Sequence, residues 1–382
     1  MSKQIKGIAV FVSFLMLATL STTAFAAPKP KNLRAGGVYV LTNQVVNEVA
    51  AFRRTAKGML TLAGTFPTGG AGDPVPQGMD PATDPLASQG ALIMSPGNRF
   101  LFAVNAGSNQ ISVLKIKKNE LAMVDIVDSG GIRPISLAYH DGLLYVLNEG
   151  GTPNITGFTV AGNGTLTPLP GSTQPLIGGA AADPAQISFS SEGSLLVVTE
   201  KAGNRIDTYV IDDDGLPSAP IDNASNGMTP FGFAFSNSGT LVVSEAFGGT
   251  PNASAVSSYS APDSGILSVV SGSVANSQTA SCWVVIPNNG KFAFVSNTGS
   301  GTISSYRINS NGTLTLLESV AADTGMGSSP IDMSMSNNNR ILFVHAAGSQ
   351  SVVAFKVKPN GTLTMVDTEG GLPLGAQGIT AK

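Results

Sequence analysis

The chain is predicted to be all-β: a seven-bladed β-propeller of four-stranded antiparallel blades, closed by its own C-terminal strand. Three observations predict it. An apolar strand ending in a polar residue recurs seven times along the chain. It sits in a repeating unit of four short strands joined by Gly-rich turns. The two ends of the chain each hold part of one such unit. Composition agrees, with 45 glycines and only 12% charged residues among 382, as expected for short strands joined by tight turns.

We letter the strands of the unit A to D. Strand B is the marker. It reads Val38-Tyr39-Val40-Leu41-Thr42-Asn43, then Leu144-Tyr145-Val146-Leu147-Asn148, then Leu196-Val197-Val198-Thr199-Glu200. Later copies end at Glu245, Asn297 and His345-Ala346, and the second ends at Asn105. Strand C follows, as in Ile206-Asp207-Thr208-Tyr209. Strand D opens with a turn such as Asn163-Gly164-Thr165 or Asn311-Gly312-Thr313. Asn-Gly between alternating runs signals a hairpin, because a type I′ turn needs positive φ at both central residues. Four such strands at this period make one propeller blade, whose faces are buried only by stacking against neighbours.

The first unit begins at strand B. The chain ends in Gln377-Gly378-Ile379-Thr380-Ala381, which has the character of strand A elsewhere, such as Pro230-Phe231-Gly232-Phe233. The last residues are therefore expected to complete the first blade and remove an open edge. One segment breaks the repeat: residues 66–90, rich in Pro, Gly and Asp. Loops of this length are functional or irregular, and both a lid over the channel and a plain excursion fit it.

Residues 1–26 read as a signal peptide, with Lys3 and Lys6, an apolar stretch over residues 7–20, and Ala24-Phe25-Ala26 as cleavage site. The apolar stretch is shorter than the roughly 20 residues of a membrane span. Residues 27–35 form a linker and 36–382 the propeller. The expectation is an exported protein, periplasmic or extracellular, without a membrane span after cleavage, and monomeric. Loss of the two leader lysines shifts the formal charge from −3 to −5. With no basic stripe in the sequence, nucleic acid is not an expected partner. Cys282 is the sole cysteine, so no intrachain disulfide can form.

The strand starting Pro184-Ala185-Gln186-Ile187-Ser188-Phe189-Ser190, the strand-B ending and the Asn-Gly-Thr-Leu-Thr turn resemble the lactonase family of seven-bladed propellers. That family includes 6-phosphogluconolactonase-like and carboxymuconate-cyclising proteins. Val40-Leu41-Thr42-Asn43 also comes close to the strand of Tyr-Val-Thr-Asn repeat proteins. The resemblance runs from about Gly36 to Lys382. It implies this fold and a lactone-ring hydrolase with its site at the channel mouth. Enzymes of the family are mostly intracellular, so the leader is a departure that weighs against a sugar-phosphate substrate.

In a propeller, strand B ends on the face where strand A begins, beside the channel. Its ends give Asn43, Asn105, Asn148, Glu200, Glu245, Asn297 and His345. Glu200 and Glu245 break the Asn pattern in adjacent blades and are candidate acid–base groups. Asp332 stands in an apolar strand A, where a carboxylate must be paired or shift its pKa. Arg133 starts strand A of the third blade and could meet an anion. The catalytic candidates are thus Glu200, Glu245, Asp332, Arg133 and His345. Substrate-binding candidates are Asn43, Asn105, Asn148, Gln186, Trp283 and Asn297. Each has a plainer reading: Asn and Glu cap turns, and Trp283 packs in the core. No metal ligand set is evident and no cofactor is required, although the carboxylates could hold calcium or magnesium.

Two functions from different classes follow. One is an exported lactonase acting on a small-molecule lactone at the channel mouth. The other is a non-catalytic propeller that binds an extracytoplasmic protein or polymer.

Overall fold

In a computed structural model the chain forms seven four-stranded antiparallel sheets, the third extended by a two-residue strand, Gln174–Pro175, against its strand C. The structure describes residues 36–75, 82–118 and 120–382. The leader, the linker, residues 76–81 of the insertion and residue 119 lie outside the described residues.

Strand B carries the packing. Gly37–Leu41, Phe100–Asn105, Leu195–Glu200, Thr240–Glu245, Phe292–Asn297 and Ile341–Ala346 are buried along their whole length. A strand at the centre of a sheet sandwiched between two others has no solvent face, so it reads as a continuous apolar run rather than an alternation. Buried tyrosines bond between blades: the Tyr145 hydroxyl donates to Gly215 O (2.7 Å), Tyr209 to Pro175 O (3.0 Å) and Tyr306 to Val274 O (3.0 Å).

The ring closes as expected. Gln377–Ala381 pairs antiparallel with Gly37–Leu41, in register Val38↔Ala381, Tyr39↔Thr380 and Val40↔Ile379. Val38, Val40, Phe52, Phe343, Val352 and Ile379 form one apolar cluster spanning the last blade and the first.

Strand A lines the channel, and in blades three to seven it begins with a register shift. The residue just before the shift has positive φ in each: Arg133 (57°), Asp183 (47°), Thr229 (57°), Ala280 (54°) and Ser329 (45°). The residue after strand B then donates its N–H to the carbonyl of that left-handed residue, as in Lys201 to Asp183 (3.0 Å), Ala246 to Thr229 (3.0 Å) and Thr298 to Ala280 (2.9 Å). These paired positions rim the mouth on what we call the upper face. Strands A and C end on the lower face.

Deleting residues 377–382 should expose the edge of the first blade and uncover the cluster around Ile379. The expected loss is on the order of 5 kcal/mol of stability, from lost burial and ladder bonds. Urea unfolding of the truncated and full chains measures it, and light scattering should show the truncated chain associating through its open edge.

Candidate active site at the channel mouth

The pleat of strand B decides which residues reach the mouth. The terminal Asn or Glu of each copy lies within and between blades, fully buried, and the next residue stands on the rim. Asn105 accepts from Asn47 Nδ2 (2.9 Å) and Thr68 Oγ1 (2.6 Å) and donates to Ser112 Oγ (2.7 Å). Asn297 accepts from Ser281 Oγ (2.6 Å) and donates to Ser304 Oγ (2.9 Å), and Asn148 donates to Ser129 O (3.2 Å). The structure thus engages these three in caps rather than in the channel. Asn43 is different, because it is itself a rim residue. It donates to Asp73 O (3.0 Å) and Gly375 O (3.2 Å) and accepts from Asp73 N (2.9 Å), which ties the insertion to the first blade.

Glu200 and Glu245 are likewise fully buried away from the rim. Glu200 accepts from Gly178 N (3.0 Å) and faces Asp207, whose pKa is pushed up to about 8 by burial and then by the bond it shares with Glu200. The other Asp207 oxygen, Oδ2, accepts from Ile177 N (2.9 Å). Glu245 accepts from Gly227 N (2.9 Å), Ser273 Oγ (2.7 Å) and Ser257 Oγ. Burial raises its pKa against these three bonds. Any side chain at position 227 would run into the Glu245 carboxylate, so glycine is required there.

His345 is not at the mouth. It is fully buried, with both ring nitrogens without a partner, and burial lowers its pKa to about 3. It alternates with Phe343 on the strand face turned to the closing strand, so Ala346, not His345, matches the capping position. Gln186 bridges blades four and five by accepting from Phe233 N (2.7 Å) and donating to Phe233 O (3.0 Å). Trp283 is 1% exposed, packs on Phe231 at 4.8 Å between ring centroids and donates Nε1 to Ser88 O (2.9 Å).

That last bond shows where the insertion goes. Residues 84–90 run across the channel and bond to strand A of several blades. Gln89 pairs its amide with Val284 N (3.1 Å) and O (2.9 Å) and its own N–H with Ala185 O (3.0 Å). Ser88 Oγ donates to Ile135 O (2.9 Å), and Gly90 N donates to Asp332 Oδ2 (3.3 Å). Gly232 gives Gln89 room, since a Cβ there would overlap its amide oxygen.

Among the described residues, charge at the rim is confined to two adjacent blades and the insertion. Blade three supplies Arg133 at the start of strand A and Glu149 near the end of strand B, and blade four supplies Asp183 and Lys201 at the corresponding positions, with the signs exchanged. Blades five to seven carry Thr229, Ala246, Ala280, Thr298, Ser329 and Ala347 there. Arg133 donates Nε to Asp73 (2.8 Å), Nη2 to Pro85 O (2.7 Å) and Nη1 to Glu149. Burial opposes its charge, but Glu149 and Asp73 outweigh that and hold the guanidinium above its usual range. Lys201 donates to Ala87 O (2.9 Å) and Pro184 O (3.0 Å), pairs with Asp183 (3.1 Å) and sits 5.1 Å from the centre of the Phe231 ring. Its three donors are thus all engaged.

Between these cations lies Asp84. Its Oδ1 accepts from Ala87 N (3.1 Å), and Gln377 hydrogen-bonds it from the closing strand. Burial raises its pKa to about 7 against the opposing pull of Lys201, those two bonds and Arg133. Asp332, 3% exposed, is pushed up to about 8, first by burial and also by the charge of Asp84. Burial raises the Cys282 thiol well above its usual range. Among the described residues no group of three or more His, Cys, Asp or Glu side chains could hold a metal.

Reading the strand-B ends one residue short passed over Glu149 and Lys201, and Asp73, Asp84 and Asp183 lie outside strand B altogether. Two signals could have found them. Lys201 and Glu149 are the only charged residues directly following a strand-B end, and Asp73-Pro74 and Asp84-Pro85 repeat within the one segment outside the repeat.

The family described as Lactonase, 7-bladed beta-propeller matches residues 34–176, 92–282 and 264–375. Comparison with curated protein sequences finds no match. Among solved structures the chain is similar to the periplasmic gluconolactonase of Pseudomonas aeruginosa, with TM-score 0.66 and 15% identity over 90% of this chain and 98% of that one. It is also similar to a Bacteroides uniformis protein described provisionally as a 6-phosphogluconolactonase (TM-score 0.66, 19% identity, 90% and 98% covered) and to a Lactobacillus plantarum protein (TM-score 0.68, 15% identity, 91% and 99% covered). At these identities the likeness is one of fold.

Two outcomes are expected from the buried carboxyls. Glu245→Ala should cost about 3 kcal/mol in urea unfolding, because three buried donors lose their acceptor. Asp332 has a folded pKa above its unfolded one, so the stability linked to its proton is complete below about pH 4 and is lost as pH rises toward 8. Asp332→Asn should therefore stabilise the protein at pH 8.5 by about 2 kcal/mol or more and make little difference at pH 4.

Proposed function

Because the chain belongs to the lactonase family of seven-bladed β-propellers, we propose that it hydrolyses a lactone at the upper channel mouth, with Asp84 as general base. The observation that carries this reading is a carboxyl tuned to about pH 7 beside a guanidinium with donors to spare. A general base works best when its pKa lies near the working pH.

Arg133 has five N–H groups, and three are committed to Asp73, Glu149 and Pro85 O. The other two can meet an oxyanion. In the reaction, Asp84 removes a proton from water and the water oxygen bonds to the lactone carbonyl carbon. The carbonyl oxygen takes up the negative charge, opposite Arg133. Collapse of this intermediate breaks the ring C–O bond, and Asp84 returns its proton to the departing alkoxide, giving a hydroxy acid. Lys201 acts through position: with its donors engaged, it fixes residue 87 and sets the field at Asp84. Asp332, protonated near neutral pH, keeps a second negative charge away.

The mouth favours an uncharged lactone. Its two cations are matched by Asp73, Asp84, Glu149 and Asp183, which leaves no net positive field for a phosphate dianion. Export of the chain is part of the proposal. The leader-like first 26 residues and the fold shared with a periplasmic gluconolactonase support it.

The test is turnover of a panel of sugar and aromatic lactones by the purified mature chain. The rate should rise with pH through about 7 as Asp84 ionises. Asp84→Asn should lower kcat by roughly 10²- to 10⁴-fold, and Arg133→Met should lower it comparably. Absence of turnover on every lactone would overturn the reading and leave a binding propeller.

A further inference from the structure

No run of basic residues exists in the sequence, yet the propeller gathers its cations on one face. Among the described residues, only Arg133, Lys201 and Arg205 lie toward the upper face, and each is paired with a carboxylate. The lower face is different. There the turns of the sixth and seventh blades present Lys291, Arg307, Arg340, Lys356 and Lys358, all exposed. None of these five side chains makes an ion pair or a hydrogen bond.

These residues line a built groove. A hollow of about 600 Å³ runs between the two blades, walled by Arg340, Lys356 and Lys358 and floored by Phe292. Through Phe292 and Pro359 it continues into a second hollow of about 360 Å³, walled by Lys291 and Arg307. No Asp or Glu lines either hollow. Five like charges without a counter-ion, in a chain of formal charge −3, repel one another and produce a focused positive field.

From this geometry we infer that the lower groove between blades six and seven binds an acidic polysaccharide. The lining chemistry selects that class. The cations can hold carboxylates through charge-assisted hydrogen bonds. Between them stand Asn289, Asn338 and Asn360, whose Oδ1 atoms accept backbone N–H bonds within their own turns, and Asn339, whose Oδ1 accepts from Asn288 N of the neighbouring blade. Their amide nitrogens are left to donate to hydroxyl groups. Alternating carboxylates and hydroxyls are what a polyuronate chain offers. Single-stranded nucleic acid would call for exposed aromatic rings on which bases stack, and Phe292 is only 6% exposed. A membrane surface would call for exposed apolar anchors, and no large exposed hydrophobic side chain lines either hollow.

The test uses the full mature chain and fluorescently labelled polygalacturonate oligomers, read by anisotropy. Binding should be saturable, weaken as salt is raised, and be absent with an uncharged dextran. The double variant Arg340→Gln/Lys356→Gln should weaken it on the order of tenfold or more, and Lys291→Gln/Arg307→Gln should do so independently. Arg205→Gln on the upper face should leave affinity within about twofold. Lactone turnover should be the same in both double variants as in the parent, which separates this site from the mouth. Failure to bind polygalacturonate, equal affinity in the double variants, or tighter binding of single-stranded DNA or anionic vesicles would overturn the assignment.

Discussion

Every blade of this propeller depends on having both of its faces covered by neighbours. Strand B is apolar along its full length, and isolated it would expose two greasy surfaces. Stacking seven sheets in a ring buries both faces of all of them at once, and the tyrosine hydroxyls that reach from blade to blade satisfy polar groups in the seams. This demand explains why the polar end of strand B is not a ligand-facing group. Asn105, Asn148, Glu200, Glu245 and Asn297 stand where a strand leaves the sandwich and a turn begins. Backbone donors there need acceptors, and these side chains supply them.

Charge at the mouth gathers where the repeat is broken. Five rims carry little or no charge. Two adjacent blades carry a cation and an anion each, and the one long insertion enters between them to add Asp73 and Asp84. Crossing the channel costs the segment its water, so its backbone and side chains bond to strand A instead, at Val284, Ala185 and Ile135. The same desolvation raises Asp84 and Asp332 together. Two carboxyls within each other's field do not ionise alike, so the higher one holds its proton while the lower is free to exchange its own near neutrality.

How much of this was legible in the sequence follows from what each signal reports. Blade number, strand order and the closing strand were legible, because strand B and the Asn-Gly turn are local patterns repeated many times, and a missing strand A at one end matched a spare one at the other. The site was less so. A strand alternates with a period of two, and the register shift at the start of strand A offsets the count, so an error of one residue moves the reading from the rim into the seam. Arg133 and Asp332 were singled out from their residue type, and the structure sets Arg133 on the rim and Asp332 against Gly90 of the insertion. His345 was misplaced for the same reason of register, as Ala346 holds the capping position. The path of residues 84–90 through the channel had no sequence signature beyond its prolines, since its contacts are with strands far away in the chain. The lower-face cations were invisible as a group, because turns in different blades become neighbours only once the ring exists.

The closing strand also orders events in time. Residues 377–381 pair with residues some 340 positions earlier, and such a contact must wait for the chain between to be made and collapsed. Until residues 377–381 are made, the first blade lacks its inner strand. The ring therefore cannot lock before then, however early the other six blades assemble.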